Sequence, residues 1–288
     1  MSSNAEPDVR TRIARLFVYP VKSCAGVAVT EAPLTETGLD LDRAWMVVDE
    51  AGEFVSQREL PRMALIRPQL KHSEVVLRAP GMLALHLAAD QVAAPARVRV
   101  WDDEVEAWDM GDVAAQWFTD FLGTKLRVAR FDPEVKRASN TKWTGGVEAL
   151  NQFSDGYPLL VASEGSLAEL NRRLAAAGHA AVGMERFRPN IVLAGLEAQD
   201  EDRLDVLRIA ADREVLLKPV KPCPRCPIPD IDPATAESTP YVSEALRQYR
   251  SNPIVDGAIT FGMNAIVLEG IDATLRVGQD VTANWVFA

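Results

Sequence analysis

The sequence predicts a mainly β protein with some α: a small N-terminal β-barrel domain, then a second barrel-like domain with a few helices. Consecutive apolar runs in the first third are separated by turn residues, with no long helix between them. A helix with a glycine stop falls before the middle of the chain, and 288 residues suit two domains. The expected domains are residues 10–123 and 124–288.

"RIARLFVYPV" begins the chain as a strand. "RAWMVVDEAGEFVSQRE" turns at Glu50–Gly52, "EVVLRAPGMLALHLA" turns at its Pro-Gly, and "ARVRVWDDEVEAWD" turns at its Asp-Asp, giving three hairpins in succession. Asp112 is the expected N-cap of a helix carrying Val113, Trp117, Phe118 and Phe121, closed by Gly123. "TKLRVARF" follows as a strand and "SNTKWTGGVEALNQFSDG" as a long surface loop. Ser166 and Glu169 suggest a capping box for "SLAELNRRLAAA", ended by Gly178. Strands "PNIVLAG", "RLDVLRIA" and "EVLLKPV", a proline-rich loop, a helix near 241–250 and two final strands complete the chain.

Composition narrows the function. A net charge of −10 argues against nucleic acid as the main partner and against an anionic membrane surface, so any anionic ligand needs a local basic cluster. The start "MSSNAEPDVR" has no basic segment leading into an apolar one, and no apolar run reaches the ~18 residues of a spanning helix. Three cysteines in a chain this long favour a reducing compartment, and a cytoplasmic protein with no membrane association is expected.

The stretch "KPCPRCPIPDIDP" at 221–233 places Cys223 and Cys226 among five prolines, which fix φ and remove donors, so an extended, stiff loop is expected. A closed zinc site needs four ligands, and His72, His86 and His179 lie singly. An iron–sulfur cluster normally takes four cysteines, and a thioredoxin-type dithiol needs a helix after its first cysteine. Two cysteines packed as small apolar residues in a loop is the plain alternative. Lys221 and Arg225 flank the pair and favour thiolate by charge proximity, which suggests a metal whose other ligands come from outside the chain.

Further basic islands have both a binding and a bland reading. Lys22 and Ser23 in "YPVKSCAG" suit a phosphate, or end a strand in solvent. Arg43 stands beside Asp42 at a strand start, in a ligand site or a surface ion pair. Arg188 precedes Pro189, which favours an extended backbone, and Asn190 leads into an apolar strand, a placement suited to planar recognition.

"YPVKSCAG", "LDRAW", "FRPNIVLAG" and "CPRCPIPDIDPATA", in this order, resemble the MOSC superfamily. The likeness is to its larger members with an N-terminal MOSC β-barrel domain, a group that includes the mitochondrial amidoxime-reducing component and bacterial relatives. It runs from about residue 12 to the end. The resemblance implies a molybdenum–molybdopterin cofactor with Cys226 as molybdenum ligand and catalytic residue, and Cys223, Pro224 and Arg225 as the loop against it. Lys22, Ser23, Arg43, Arg188 and Asn190 match positions that contact the pterin and its phosphate. Asp155 and Gly156 match a further contact, and Asp155 is also a candidate acid by position. The implied function is an oxidoreductase that reduces N-hydroxylated small molecules, with electrons from a separate donor such as a ferredoxin or flavoprotein, because this sequence shows neither an anchor nor cluster cysteines. The alternative within the same superfamily is a sulfur carrier that uses a cysteine persulfide for metal–sulfur cofactor assembly.

Overall fold

The structure, a computed structural model, describes residues 6–286 apart from 73 and 89; expectations placed on residues 1–5, 287 and 288 fall outside them. The chain opens with β1 (Val9–Val18), followed by the short strands β2 (Val27–Val29), β3 (Glu31–Thr35), β4 (Gly38–Leu39) and β5 (Trp45–Val48). Next come β6 (Arg67–Leu70), β7 (Glu74–Arg78), β8 (Leu85–Ala88), β9 (Ala94–Val100) and β10 (Asp103–Asp109), then helix α1 (Asp112–Leu122) and β11 (Arg127–Phe131). Helix α2 (Thr141–Thr144), β12 (Leu159–Ser163), α3 (Glu164–Ala176), β13 (Ile191–Ala194), β14 (Leu207–Ala210) and β15 (Glu214–Pro224) follow. The chain finishes with α4 (Tyr241–Arg247), β16 (Ser251–Asn252), β17 (Ala258–Glu269), β18 (Thr274–Arg276) and β19 (Asp280–Ala283).

Seven strands close a barrel in the order β12-β13-β1-β19-β14-β15-β17, with β17 returning to β12. β12 and β13 run parallel, and the other neighbours are antiparallel. Closure uses Gly262, whose φ is +76° and where an added Cβ would come within 2.6 Å of the Val161 carbonyl. Ile13, Leu16, Leu193, Leu217 and Val281 fill the interior and are fully buried, each worth about 1.5–3 kcal/mol of apolar transfer. Helices α3 and α4 cover the outside of the barrel with Leu170, Leu174, Val242 and Leu246.

The three hairpins expected in the first third all form. β6-β7-β8 make one sheet and β5-β11-β10-β9 another, and α1 buries Trp117, Phe118 and Phe121 in the core shared with Val75 and Leu77. The sheets interleave across residue 123: β1 belongs to the large barrel, and β11 pairs with β5 and β10. Among the described residues no helix is long and apolar enough to cross a membrane.

Four local expectations change. Gly111, at φ +86°, caps α1 and leaves Asp112 inside the first turn. Helix α3 begins earlier than its supposed capping box: Ser163 Oγ accepts the Ser166 N–H at 3.1 Å, and Glu169 pairs instead with Arg172 and Arg173. Residues 139–156 run over the surface only in part: 140–142 and 145–148 are exposed, whereas 149–151 and 153 are buried. The Arg137 guanidinium draws the later part inward by donating to Asn151 Oδ1 at 2.5 Å, Gln152 O at 2.8 Å and Ser154 O at 2.7 Å. Finally, the proline stretch begins as strand, since β15 runs through Pro219, Pro222 and Pro224. β14 pairs with it only as far as Leu217, so the rest has a free edge and register shifts, settings that tolerate strand proline.

Candidate active site

A cavity of about 500 Å³ is lined from both the N-terminal sheets and the barrel. The turn after β1 supplies Lys22 and Ser23, and the turn before β5 supplies Arg43. Asp155 and Gly156 come from the approach to β12, and Arg188 and Asn190 from the approach to β13. The end of β15 and the residues after it supply Cys223, Pro224, Arg225 and Cys226. Every candidate residue from the sequence therefore lines one cavity. On the barrel side, Asn264 of β17 pairs with both Lys221 of β15 and Leu160 of β12, and all three line it too.

The wall is cationic. Among the described residues, six basic side chains (Lys22, Arg43, Arg58, Arg188, Lys221 and Arg225) and one carboxylate, Asp155, line the cavity. Lys22 is buried, and its ammonium donates to Phe153 O at 2.9 Å and to Asp155 Oδ1. Burial pulls the Lys22 pKa down, and Asp155 opposes this. Asp155 stands at the mouth with 71% of its side chain accessible. Crowding by protein raises its carboxyl, but the Lys22 ammonium outweighs this and holds it well below the usual carboxylate range. Asp155 is thus an anchor for Lys22 and Trp101, whose Nε1 donates to it at 3.2 Å, and it is poorly suited to donate a proton.

Arg43 and Arg188 both lie over the buried Tyr19 ring, 4.3 and 4.4 Å from its centroid. Arg43 donates to Asp42 at 2.5 Å and to Arg188 O at 3.1 Å; Asp42 is buried, so this is not the surface ion pair considered above. Arg188 donates to Cys24 O at 2.5 Å. Burial, with repulsion from Arg43, lowers the Arg188 pKa to about 10. Arg188 has φ +59°, in the left-handed region rather than the extended one expected before Pro189, and Ser23 and Arg43 are left-handed as well. Asn190 does not present a free amide. Its Oδ1 accepts from Leu160 N at 3.1 Å and Arg43 Nη1 at 3.3 Å, and Nδ2 donates to Phe17 O at 3.3 Å.

The two thiols of the cysteine pair differ from Cys24. Cys223 and Cys226 are partly exposed, whereas Cys24 is fully buried and burial pushes its pKa up to about 12. Arg225 Nη1 donates to Cys223 Sγ at 3.0 Å and Nη2 to Phe187 O at 2.9 Å, while its buried Nε has no partner. Among the described residues no three His, Cys, Asp or Glu side chains gather where they could hold a metal ion. A metal held by one of these thiols would take its remaining ligands from a non-protein group.

The sequence matches the MOSC N-terminal beta barrel domain over residues 10–125 and the MOSC domain over residues 149–282. The mitochondrial amidoxime reducing component 2 of Rattus norvegicus is 35% identical, over 93% of this chain and 82% of its own. The chain belongs to the MOSC family. The human mitochondrial amidoxime reducing component 2 is 37% identical to this MOSC protein over 77% of the chain, covering 67% of the relative. The human molybdenum cofactor sulfurase is 29% identical over 87% of the chain, but that match spans 29% of the sulfurase.

The cavity also holds residues that sequence reading did not nominate: Phe54, Ser56, Arg58, Trp101, Tyr157 and Asn264. They stand alone in strands, turns or loops, and no local pattern marks them. The expected Asp102–Asp103 turn falls one residue earlier, at Trp101–Asp102, because Asp103 pairs with Val100, and this puts Trp101 at the hairpin tip.

Proposed function

We propose that this MOSC protein is a molybdenum-cofactor-dependent reductase of N-hydroxylated compounds. The observation that carries the reading is the six-to-one excess of basic over acidic side chains around a thiol-bearing cavity, in a protein of net charge −10. The donor set fits a pterin dithiolene bearing a phosphate. In this reading Arg43, Arg188, Lys22 and Ser23 would hold the anionic part, the unpartnered Arg225 Nε could donate to it, and Cys226 would supply a soft ligand. When bound, the cofactor supplies a two-electron metal centre able to take oxygen from an N–O bond. The reaction consumes two electrons and two protons and releases amine or amidine and water.

The chain's own residues orient and hold. Asn190 and Asp42 fix the Arg43 guanidinium, the Cys24 carbonyl fixes Arg188, and Phe187 O with Cys223 Sγ fixes Arg225. Electrons would come from a separate donor protein, and a cytoplasmic location suits the cysteine usage. The amidoxime-reducing names of the relatives support this substrate class.

The test is molybdenum analysis of protein from a host that makes molybdopterin without an added nucleotide, alongside Cys226→Ser and Arg188→Ala. About one molybdenum per chain, lost in both variants, with amidoxime reduction by the wild type, is the expected result. No molybdenum in any of them, with persulfide on Cys223 or Cys226, would overturn the reading in favour of sulfur transfer.

A further inference from the structure

We propose that Trp101, backed by Arg58 and Phe54, is a platform for the flat aromatic ring of an N-hydroxylated substrate at the cavity mouth. The proposal rests on the reductase reading above. Trp101 turns the hairpin between β9 and β10 with φ +56°, a conformation that glycine or asparagine adopts with less strain. It is 43% exposed, so neither turn geometry nor core packing accounts for an indole here.

The ring is nevertheless held from three sides. Its Nε1 donates to Asp155 Oδ1 at 3.2 Å, the Arg58 guanidinium lies 4.6 Å from the ring centre, and Phe54 packs against it at 5.0 Å with a 57° tilt. Arg58 is itself fixed, because its Nε donates to Ser56 Oγ at 3.0 Å. Asp155, which orients the indole, also grips Lys22, so the platform is tied to the cationic wall. An exposed aromatic ring immobilised before a ligand arrives has little left to lose on binding, which is how rigid Trp and Tyr anchors work at recognition surfaces.

Recognition is thereby divided. The thiols and Arg225 come from the barrel, whereas the aromatic face comes from the N-terminal hairpins, and both line the same cavity. A substrate with its ring on Trp101 can direct its N–OH group inward toward Cys226. The half-buried Arg43 and Arg188, not this accessible rim, have the charge and hydrogen-bond geometry for the anionic cofactor.

The experiment uses the molybdenum-loaded full chain with Trp101→Ala and Trp101→Phe. It compares benzamidoxime with acetamidoxime by KM, kcat and calorimetric Kd on the oxidised protein, and measures molybdenum per chain. Trp101→Ala should keep wild-type molybdenum, while KM and Kd for benzamidoxime rise about tenfold, the loss of one aromatic pair, and those for acetamidoxime change much less. Trp101→Phe should recover most of the loss. Equal changes for both compounds, no change for either, or lost molybdenum (a ring that serves the pterin) would overturn the proposal. Wild-type protein that reduces neither compound sinks the reductase reading instead, and calorimetric preference for the aromatic ring still decides the platform.

Discussion

Asn190→Ala removes a side chain that joins barrel strands, through Leu160 and Phe17, to Arg43 of the cationic wall. The residue is 1% exposed. The variant keeps the backbone bonds from Asn190 N to Leu160 O at 2.8 Å and from Phe17 N to Asn190 O at 2.9 Å, so the strands still meet. It leaves the Leu160 N–H, which donates to Oδ1 at 3.1 Å, without that acceptor, at about 1–3 kcal/mol. Loss of the bonds to Phe17 O and Arg43, both 3.3 Å, adds about 1 kcal/mol more. The expected total is about 2–4 kcal/mol, a fall of about 3–7 °C in thermal midpoint for a chain of 288 residues. Thermal unfolding of wild type and variant, with molybdenum content measured on the same preparations, is the assay. Arg43 loses part of its frame, so under the cofactor reading proposed above molybdenum occupancy should fall as well. A midpoint within about 2 °C of wild type refutes the energetic reasoning, and a destabilised variant with full molybdenum refutes the link to Arg43.

Two predictions concern pH. Glu201 is fully buried, Ser163 and Ser166 both donate to its Oε2 at 2.8 Å, and burial raises its pKa. The folded state therefore keeps a proton that the unfolded chain releases above about pH 4.3, and wild-type stability falls by up to about 1.4 kcal/mol per pH unit until the folded carboxyl ionises. Urea titrations at pH 5 to 8 should show Glu201→Gln gaining on wild type as pH rises, whereas parallel curves rule this out. Asp155 has the opposite sign: its pKa is depressed, so its contribution is present above about pH 3.9 and lost as pH falls toward the folded value. Asp155→Asn should cost about 1 kcal/mol at pH 7, kept small by the exposure of the carboxylate, and should flatten the acid limb. An unchanged acid limb in the variant counts against the Lys22 pair.

What could be read from the sequence depended on how local the cause was. Hairpins at 45–54, 74–88 and 94–109 follow from alternation and turn residues, and Gly123 ends α1 in the left-handed conformation expected of it. β15 hid among its prolines because the permission for them is tertiary, a neighbour that departs after Leu217. Cys226, Arg188, Arg43 and Lys22 are nominated because the four short motifs that hold them, taken in order, resemble the MOSC superfamily. The partners that orient them are isolated residues from distant segments. Asp42 suggested a surface pair only because the sequence cannot show that Tyr19 N–H also donates to it, at 2.8 Å, within the core.

The arginine pair explains why the wall needs so much support. Arg43 and Arg188 repel one another, and with Ser23 they occupy left-handed backbone, at a cost of about 1–3 kcal/mol for each strained residue. Hydrogen bonds to backbone carbonyls interlock them: Arg43 to Arg188 O, Arg188 to Cys24 O, and Gln57 to Ser23 O at 2.5 Å. The Tyr19 ring lies under both guanidiniums and lessens their repulsion without neutralising either. Asp42 compensates Arg43 directly, but no carboxylate among the described residues pairs with Arg188 or Arg225. The fold thus holds positive charge in place at low local dielectric, and an anion bound there gains more than it would from the same cations in water. Because such a ligand binds the folded state and not the unfolded chain, the anion that suits the wall also stabilises it.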